Sequence, residues 1–284
     1  MDSVENDIAA KQPHVGLFVT CLVDMYRPNV GFATLRLLED AGCKVSVPPS
    51  QTCCGQPAFN SGETKNAATI ARNTITAFAD FDYIVAPSGS CAGMLKHHYP
   101  ELLQSDKQWS DKAIEFSSRV YELTQFLADV IKTQSISAEL TEKVTYHDSC
   151  SSLREMEVSQ QPRDLLAQVQ GVELTELADT QVCCGFGGTF CVKYPDISER
   201  MVTDKVALIE QSGADVLLAG DMGCLLNLTG RLSRLNKSVR SYHVAEVLAG
   251  MADGPGIGEP DKNEPHVQDP VSENESAESH GGQT

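Results

Sequence analysis

Ten cysteines are the residues of this sequence best suited to chemistry, and eight of them form a repeated pattern. Each half of the chain has one single cysteine, then an adjacent pair followed by glycine, then another single cysteine. The eight are Cys21, Cys53, Cys54, Cys91, Cys150, Cys183, Cys184 and Cys224. Thiolates are soft, charged ligands that suit iron–sulfur clusters or zinc. The pattern therefore predicts two metal sites of four thiols each.

The spacing of the two sets indicates a duplicated domain. There are 31 residues between the first cysteine and the pair in one half, and 32 in the other. The gaps from the pair to the last cysteine are 36 and 39 residues. Repetition at this scale is typical of a duplicated unit. Because the ligands are so far apart in sequence, the fold itself must bring each set together.

The adjacent cysteines need an unusual turn if both are to face one site. Successive side chains of an extended strand point to opposite faces, so the backbone must bend sharply between or after the pair. Glycine adopts the backbone angles of such a bend and leaves room for a bulky inorganic group. We therefore predict cofactor-binding roles for Gly55 in the first half and for Gly185, Gly187 and Gly188 in the second.

Other chemistry fits the same residues. Zinc sites favour short spacers such as C-x2–4-C, which this sequence lacks, but a zinc-binding assembly module stays an alternative. A second alternative is thiol–disulfide chemistry by the adjacent pairs, which requires exposed cysteines of low pKa. Cys43 and Cys191 fall outside the repeat and are expected to be ordinary buried residues.

Strands alternate with helices along both halves, which predicts an α/β fold. We predict strands at residues 14–20, 44–47, 82–86, 144–147, 172–177 and 215–219, and helices at 30–41, 61–79 with Ser61 as its cap, after Pro162, and at 195–212. The segment 101–138 has helical patterning and links the halves. The expected fold has two tandem halves, each a small parallel sheet flanked by helices. Several cysteines lie in loops at the C-terminal ends of strands, where open parallel sheets bind ligands.

Composition limits the partners and the location of the protein. Acidic residues outnumber basic ones by 39 to 22, and the resulting net charge of −17 argues against nucleic-acid or anionic-membrane surfaces. No run of about 18 apolar residues and no secretory signal is found, so we expect a cytoplasmic protein. Structural disulfides are rare in that reducing compartment, which favours metal ligation. The expected domains are a flexible 1–13, cysteine-rich units at 14–138 and 139–250, and a disordered acidic tail at 251–284.

The pattern resembles the CCG cysteine-rich domain, which occurs twice in the B subunit of heterodisulfide reductase. It is most similar to the lactate utilization protein A family. The resemblance is carried by LFVTCLVDMYRPNVG (17–31), CCGQPAFNSG (53–62), APSGSC (86–91), CCGFGGTF (183–190) and GCLLNLTGR (223–231). It implies the iron–sulfur component of a system that oxidises L-lactate to pyruvate, and so a subunit of an oxidoreductase. Two further lactate-utilization proteins, at least one of them an iron–sulfur protein, are the implied partners.

One departure from the family pattern concerns the ligand count. The fullest CCG motif ends in C-x-x-C, but Ser88 and Asp221 stand at the first of those positions in the two halves. Four cysteines per half then suit an ordinary [4Fe–4S] cluster, either in each half or in only one of them. Ser88 and Asp221 are expected to be turn residues, with an oxygen ligand as the alternative. No catalytic residue is assigned.

A histidine stands close to the second set of cysteines. His147 precedes Cys150 by three residues and ends a predicted strand. The ring could donate a hydrogen bond to a cluster sulfur or move a proton. The expected role is nevertheless a buried histidine satisfied by a backbone partner.

Overall fold

Two four-stranded parallel sheets organise the protein, one in each half. The computed structural model describes residues 12–260. The first sheet has the order β2-β1-β3-β4, and the second has the matching order β6-β5-β7-β8. The strands are β1 (His14–Leu17), β2 (Lys44–Ser46), β3 (Tyr83–Ala86), β4 (Val120–Glu122), β5 (Glu139–His147), β6 (Gln170–Leu174), β7 (Val216–Ala219) and β8 (Arg240–His243). The α/β class and the tandem halves predicted from the sequence are confirmed.

Helices connect consecutive strands and cover the sheets. In the first half they are α1 (Cys21–Tyr26), α2 (Pro28–Asp40), α3 (Gln56–Asn60), α4 (Thr64–Ala77), α5 (Gly89–Gly93), α6 (Tyr99–Leu103), α7 (Ser110–Ser118) and α8 (Leu123–Gln125), with π-helical segments Met94–His98 and Phe126–Ile131. In the second half they are α9 (Cys150–Arg154), α10 (Gln161–Leu166), α11 (Phe190–Lys193), α12 (Pro195–Gln211), α13 (Met222–Arg234) and α14 (Val244–Leu248). Among the described residues, no helix is long and apolar enough to cross a membrane.

The sheets are buried on both faces, as parallel sheets require. All four residues of β7 are buried, and so are the last three of β1 and β3. One apolar core includes residues of both halves, among them Val15, Leu37, Leu218 and Leu248. Helix α14 packs on α2, and α5 packs on α9. The halves therefore share an extensive interface rather than standing apart on a linker.

Two local predictions need correction, and two strands were not predicted. Ser61 does not begin a helix: it follows α3, and α4 starts at Thr64. The segment 101–138 is not wholly helical, because its buried Val120 belongs to strand β4. Strand β8 was not predicted from the sequence, and neither was β4. Both missed strands are only three or four residues long, too short for a clear alternation of apolar and polar residues.

The beginning of the predicted acidic tail packs on the second sheet. The backbone N–H of Ile257 donates to the carbonyl oxygen of Ser241 in β8 at 2.8 Å, and Ile257 is buried. The Tyr242 hydroxyl donates to the carbonyl oxygen of Gly254 at 2.7 Å. Residues 251–260 thus extend the second half beyond the predicted boundary. The rest of the predicted tail, 261–284, and residues 1–11 of the predicted flexible N-terminus lie outside the described residues.

Candidate metal centres

The fold gathers the eight repeated cysteines into two groups of four. We call Cys21, Cys53, Cys54 and Cys91 the first site, and Cys150, Cys183, Cys184 and Cys224 the second site. In the first, the Sγ atoms of Cys21 and Cys53 are 3.9 Å apart, and Cys54 contacts both Cys53 and Cys91. In the second, the Sγ atoms of Cys184 and Cys224 are 3.0 Å apart, and Cys183 contacts both Cys150 and Cys184. The ligands that are distant in sequence therefore converge.

Helix starts position the first cysteine of each site. Cys21 is the first residue of α1, and Cys150 is the first residue of α9. A hydroxyl residue caps each helix: Thr20 Oγ1 accepts from the Val23 N–H at 3.4 Å, and Ser149 Oγ accepts from the Ser152 N–H at 3.2 Å. The caps fix the direction in which the chain enters the helix after β1 and β5. Both thiols consequently lie at the C-terminal edge of their sheet.

A left-handed glycine follows each cysteine pair and turns the chain. Gly55 has a φ of 85° and Gly185 a φ of 80°, a region in which other residues are strained. The N–H of Gly55 donates to Cys53 Sγ and that of Gly185 donates to Cys183 Sγ, both at 3.4 Å. These two glycines thus combine the sharp bend with a backbone donor that stabilises a thiolate.

A polar side chain anchors the buried second member of each pair. The Tyr99 hydroxyl donates to the carbonyl oxygen of Cys54 at 2.9 Å. In the second half, Asn227 Nδ2 donates to the carbonyl oxygen of Cys184 at 2.8 Å. These hydrogen bonds hold the same backbone atom by different side chains, so the geometry of the pair is kept while the residues behind it differ.

Ser88 and Asp221 are helix caps. Ser88 caps α5 and accepts from the Cys91 N–H at 3.3 Å, while Asp221 caps α13 and accepts from the Gly223 N–H at 3.1 Å. The other carboxylate oxygen of Asp221, Oδ2, crosses to the first half. It accepts hydrogen bonds from Ser88 Oγ at 3.0 Å, from Ser90 N at 3.1 Å and from Ser90 Oγ at 2.7 Å. Both positions where the family motif has a further cysteine therefore meet at the interface between the halves.

The two sites are neighbours across this interface. A cavity of about 150 Å³ adjoins the first site, and one of about 190 Å³ adjoins the second. Five lining residues are common to both cavities: Gln56, Ser90, Phe186, Gly188 and Asp221. Gly188 therefore lines both cavities, and a Cβ there would lie 3.1 Å from Asn60 Nδ2. Gly187 lines only the second, and a Cβ there would collide with Phe190.

Each site contains one thiol whose pKa is depressed. Hydrogen bonds from Cys21 and Cys54 lower the pKa of Cys53, and hydrogen bonds from Cys150 and Cys184 lower that of Cys183. The hydrogen bond to Cys53 raises the pKa of Cys21 in turn. Each site therefore has one thiolate that accepts hydrogen bonds from neighbouring thiols. This is the state expected when a group of four cysteine thiols has lost one proton.

A buried histidine and a buried lysine lie behind the thiols of the second site. His147 is 1% exposed, and a ring nitrogen lies within 4.8 Å of the Sγ atoms of both Cys184 and Cys224. Burial first, and then the charge of Lys205, lower the pKa of His147 to about 3, so the ring is neutral. Neither ring nitrogen has a hydrogen-bond partner in the described part of the chain. The prediction that a backbone group forms a hydrogen bond with His147 is therefore wrong.

Lys205 was not among the site residues predicted from the sequence. Its side chain is fully buried on the inner face of α12, and Nζ donates to the carbonyl oxygen of Asp179 at 3.1 Å. A lysine at an apolar position of an amphipathic helix was the signal that could have revealed it. Its charge interacts with Cys183 and Cys184, so it belongs to the electrostatic surroundings of the second site.

The donor set fits a thiolate-bound metal group. Four soft sulfur donors converge in each half, helix starts and glycine N–H groups face them, and a cavity adjoins each set. Cys43 and Cys191 belong to neither set. Cys43 is buried in the apolar core, and Cys191 is half-buried with its Sγ 3.6 Å from the carbonyl oxygen of Gly188.

Comparison with known proteins agrees with the duplicated architecture. The family model of the CCG cysteine-rich domain matches residues 15–96 and again 144–229. A protein of Helicobacter pylori, titled hypothetical, has a similar fold, with a TM-score of 0.61 and 11% identity. That likeness covers 88% of this chain and 50% of the other, so this chain spans half the length of that protein.

Closer similarity is found among proteins named lactate utilization protein A. The one from Geobacillus kaustophilus is 51% identical over 234 residues, which are 82% of this chain and 98% of that protein. The one from Bacillus subtilis is 49% identical with the same coverage. This degree of identity extends well beyond the cysteines. The chain belongs to the lactate utilization protein A family and contains two CCG cysteine-rich domains.

Proposed function

We propose that this protein is the iron–sulfur component of a cytoplasmic system that oxidises L-lactate to pyruvate, and that it carries electrons together with two further lactate-utilization proteins. The convergence of four thiols in each half is the observation that carries the proposal. The name of the relatives, at about half identity over most of the chain, supports the link to lactate.

The eight cysteines of the two sites are the residues that would hold the metal groups, preferably one [4Fe–4S] cluster per half. When bound, thiolate-ligated iron–sulfur groups supply one-electron redox chemistry. Removal of two electrons and two protons converts lactate to pyruvate, and two one-electron sites match that demand. We assign residues 14–138 and 139–260 as the two units, each holding one site, because residues 251–260 pack on the second sheet beyond the predicted boundary at 250.

The protein's own side chains and backbone groups have defined tasks in this proposal. The caps Thr20 and Ser149 aim the first thiol of each site, and Gly55 and Gly185 supply N–H donors to thiolate sulfur. Asp221 caps helix α13 of the second site and also accepts a hydrogen bond from the Ser90 N–H beside the first site. These contacts keep the two sites adjacent, which favours electron passage from one to the other.

Anaerobic purification with iron and sulfide counting, followed by Mössbauer spectroscopy, tests the proposal. We expect two iron–sulfur groups per chain, equal amounts of iron and acid-labile sulfide, and absorbance near about 400 nm that bleaches on reduction. A colourless, iron-free chain after anaerobic reconstitution would contradict it. Stoichiometric zinc in cells grown with ample iron would instead support a zinc assembly module.

Thiol–disulfide chemistry is a second candidate because of one contact. The Sγ atoms of Cys184 and Cys224 are 3.0 Å apart, close enough for oxidation to join them after a small shift. Both cysteines are buried, however, which restricts access by a reaction partner. Alkylation kinetics on metal-free protein decide the matter: fast labelling of Cys184 and Cys224 or of the adjacent pairs supports this chemistry, and uniformly slow labelling of all cysteines rejects it.

A further inference from the structure

The two sites differ in the residue that lies three positions before their first cysteine. In the first half this residue is Phe18, which is fully buried among apolar side chains that include Cys54 and Cys91. In the second half it is His147, equally buried. The two strands β1 and β5 hold equivalent central places in their sheets. A histidine therefore stands in the second site where the first has only an aromatic hydrocarbon.

The buried imidazole of His147 lacks any hydrogen-bond partner within residues 12–260. Both Nδ1 and Nε2 are unpaired, although buried polar atoms are normally paired because desolvation without a partner costs free energy. The other buried histidine of this half shows the ordinary arrangement. His243 Nδ1 accepts from the Ala245 N–H at 3.1 Å, and its Nε2 donates to the carbonyl oxygen of Pro87 at 3.2 Å. The contrast marks His147 as a side chain whose partner lies outside residues 12–260.

Neighbouring carboxylates are already committed elsewhere. Asp148 forms a two-pronged ion pair with Arg163, with both N···O distances at 2.9 Å. Asp221 accepts four hydrogen bonds through its two oxygens. Each carboxylate would have to break these bonds before it could ligate a metal. His147 would break none, because its ring has no hydrogen bond to any of the described residues.

The geometry around His147 suits a shared metal. A ring nitrogen and the Sγ atoms of Cys184 and Cys224 lie within 4.8 Å of one another. Ligand atoms around one tetrahedral metal with bonds of about 2.0–2.3 Å are separated by roughly 3.5–3.8 Å. Small side-chain rotations would therefore bring the three atoms to bonding distances. Neutral imidazole is also the form that binds metals.

We propose that His147 is a nitrogen ligand of the metal group in the second site, beside Cys184 and Cys224. The inference rests on the proposed function only in assuming that a metal group occupies this site. It makes the second site a mixed nitrogen–sulfur site with five donors, one more than the four terminal ligands of a [4Fe–4S] cluster. The second site would therefore hold another type of metal group, whereas the first has four thiols that suit a [4Fe–4S] cluster. The two halves would then hold chemically different groups despite their common frame.

Pulsed EPR on the reduced full-length chain, reconstituted with iron and sulfide after labelling of histidine with ¹⁵N, tests the assignment. We expect a strong hyperfine coupling from a directly bound imidazole nitrogen that changes with the isotope. The variant His147→Phe, which places the residue of the first half in the second, should lose that coupling. The variant His243→Gln serves as the matched control of a buried histidine and should keep it.

Metal K-edge X-ray absorption on the same samples gives a readout for any metal, including one that is silent in EPR. Imidazole scattering should be present in the unaltered chain and lost in His147→Phe. Normal metal content without a histidine signal in the unaltered chain would overturn the ligand and leave the proposed function standing. A chain without metal would overturn the proposed function itself. Because both measurements can be made on the unaltered chain, poor folding of His147→Phe would not prevent a decision.

Discussion

The first and second sites share their thiols and backbone but differ in the side chains behind them. In both, a capped helix start presents the first cysteine, and a left-handed glycine follows the pair. Behind the first site lie Phe18 and Tyr99, and behind the second lie His147 and Lys205. The first site is thus set in an apolar and neutral environment, and the second next to an imidazole and a positive charge.

This difference separates the demands of ligand geometry from those of electronic tuning. Geometry depends on caps, turns and glycine, and those features are the same in the two halves. Reduction potential depends on nearby charge, hydrogen bonds and burial, and those features differ. We infer that duplication kept the thiol frame while the surroundings diverged, which gives one chain two unlike redox sites.

Removal of a buried thiol has the largest expected effect. Cys54→Ala should empty the first site and Cys184→Ala the second, each leaving the other loaded, because the sets share no cysteine. Metal bound to thiolates can carry about 10–16 kcal/mol of apparent folding free energy, so the emptied half should also lose protection in hydrogen exchange. Iron per chain and exchange mapped onto each half are the measurements.

The control for these variants is Cys191→Ser, which alters a half-buried cysteine outside both sets. It should keep the iron of both sites. Equal loss of iron from both halves in Cys54→Ala would show that the two sites assemble as one unit. Retention of all iron would remove Cys54 from the ligands.

The pH dependence of stability should expose a second difference between the halves. Strand β4 ends in Glu122 and β8 ends in His243, and each residue caps the following helix. Burial raises the pKa of Glu122 to about 7 and lowers that of His243 to about 4. Glu122 therefore stabilises the fold at low pH and loses that contribution as pH rises through 7. His243 contributes fully above its unfolded-state pKa of about 6.5 and loses its contribution as pH falls through 4.

These opposite trends partly cancel between about pH 4.5 and 6.5, each amounting to about 3 kcal/mol at most. In Glu122→Gln, the free energy of unfolding should rise more steeply with pH over this range. In His243→Gln it should fall with pH. Urea denaturation of metal-free protein at several pH values measures both slopes. Parallel curves for both variants and the unaltered chain would show that neither group titrates as stated.

The sequence could predict the frame of the sites because the frame depends on residue types with few alternatives. Cysteines recur at matched spacings, and glycine follows each pair where the φ is positive. The long helix at 195–212 was predicted within one residue of α12, since its apolar face repeats over several turns. Strands β4 and β8 were not predicted because a segment of three or four residues shows too little periodicity in its apolar and polar residues.

The surroundings of the sites could not be predicted in the same way. Asp221 meets Ser90 although 131 positions separate them, and only the packing of the halves brings them together. The burial of Lys205 depends on which face of α12 meets the sheet. The sequence shows that His147 precedes Cys150. That the ring has no hydrogen-bond partner among the described residues depends on the positions of all neighbouring donors and acceptors, which only the structure gives. Local pattern therefore predicts ligands, and tertiary structure decides what tunes them.

Metal-free stability offers a direct comparison of Phe18 and His147. Without metal, His147 leaves two buried nitrogens unpaired, and each buried unsatisfied polar group costs about 1–3 kcal/mol. His147→Phe should therefore raise the free energy of unfolding of the metal-free protein by about 2 kcal/mol, less any strain from the larger ring. Chemical denaturation in the presence of a chelator measures the change. The reciprocal Phe18→His should destabilise the first half, and a stabilised Phe18→His would contradict the argument.

The smallest expected effect concerns the charge of Lys205. The equivalent residue on α4 is Thr74. In the second half, Met201 lies beside Gly185, and Lys205 follows it by four residues. In the first half, Ile70 lies beside Gly55, and Thr74 follows it by four residues. A nearby cation favours the reduced, more negative state of a redox site. A charge in this environment contributes about 1–2 kcal/mol at an effective dielectric constant near 20, or roughly 40–90 mV for one electron.

Lys205→Met should accordingly lower the reduction potential of the second site and leave that of the first nearly unchanged. Redox titration followed by EPR, with Cys54→Ala used to observe the second site alone, gives the shift. The matched control Thr74→Val removes the hydroxyl that forms a hydrogen bond with the Tyr99 hydroxyl but removes no charge, so it should move neither potential by a comparable amount. An equal shift of both sites by Lys205→Met would mean that the charge acts across the interface, and the contrast between the two electrostatic environments would then fail.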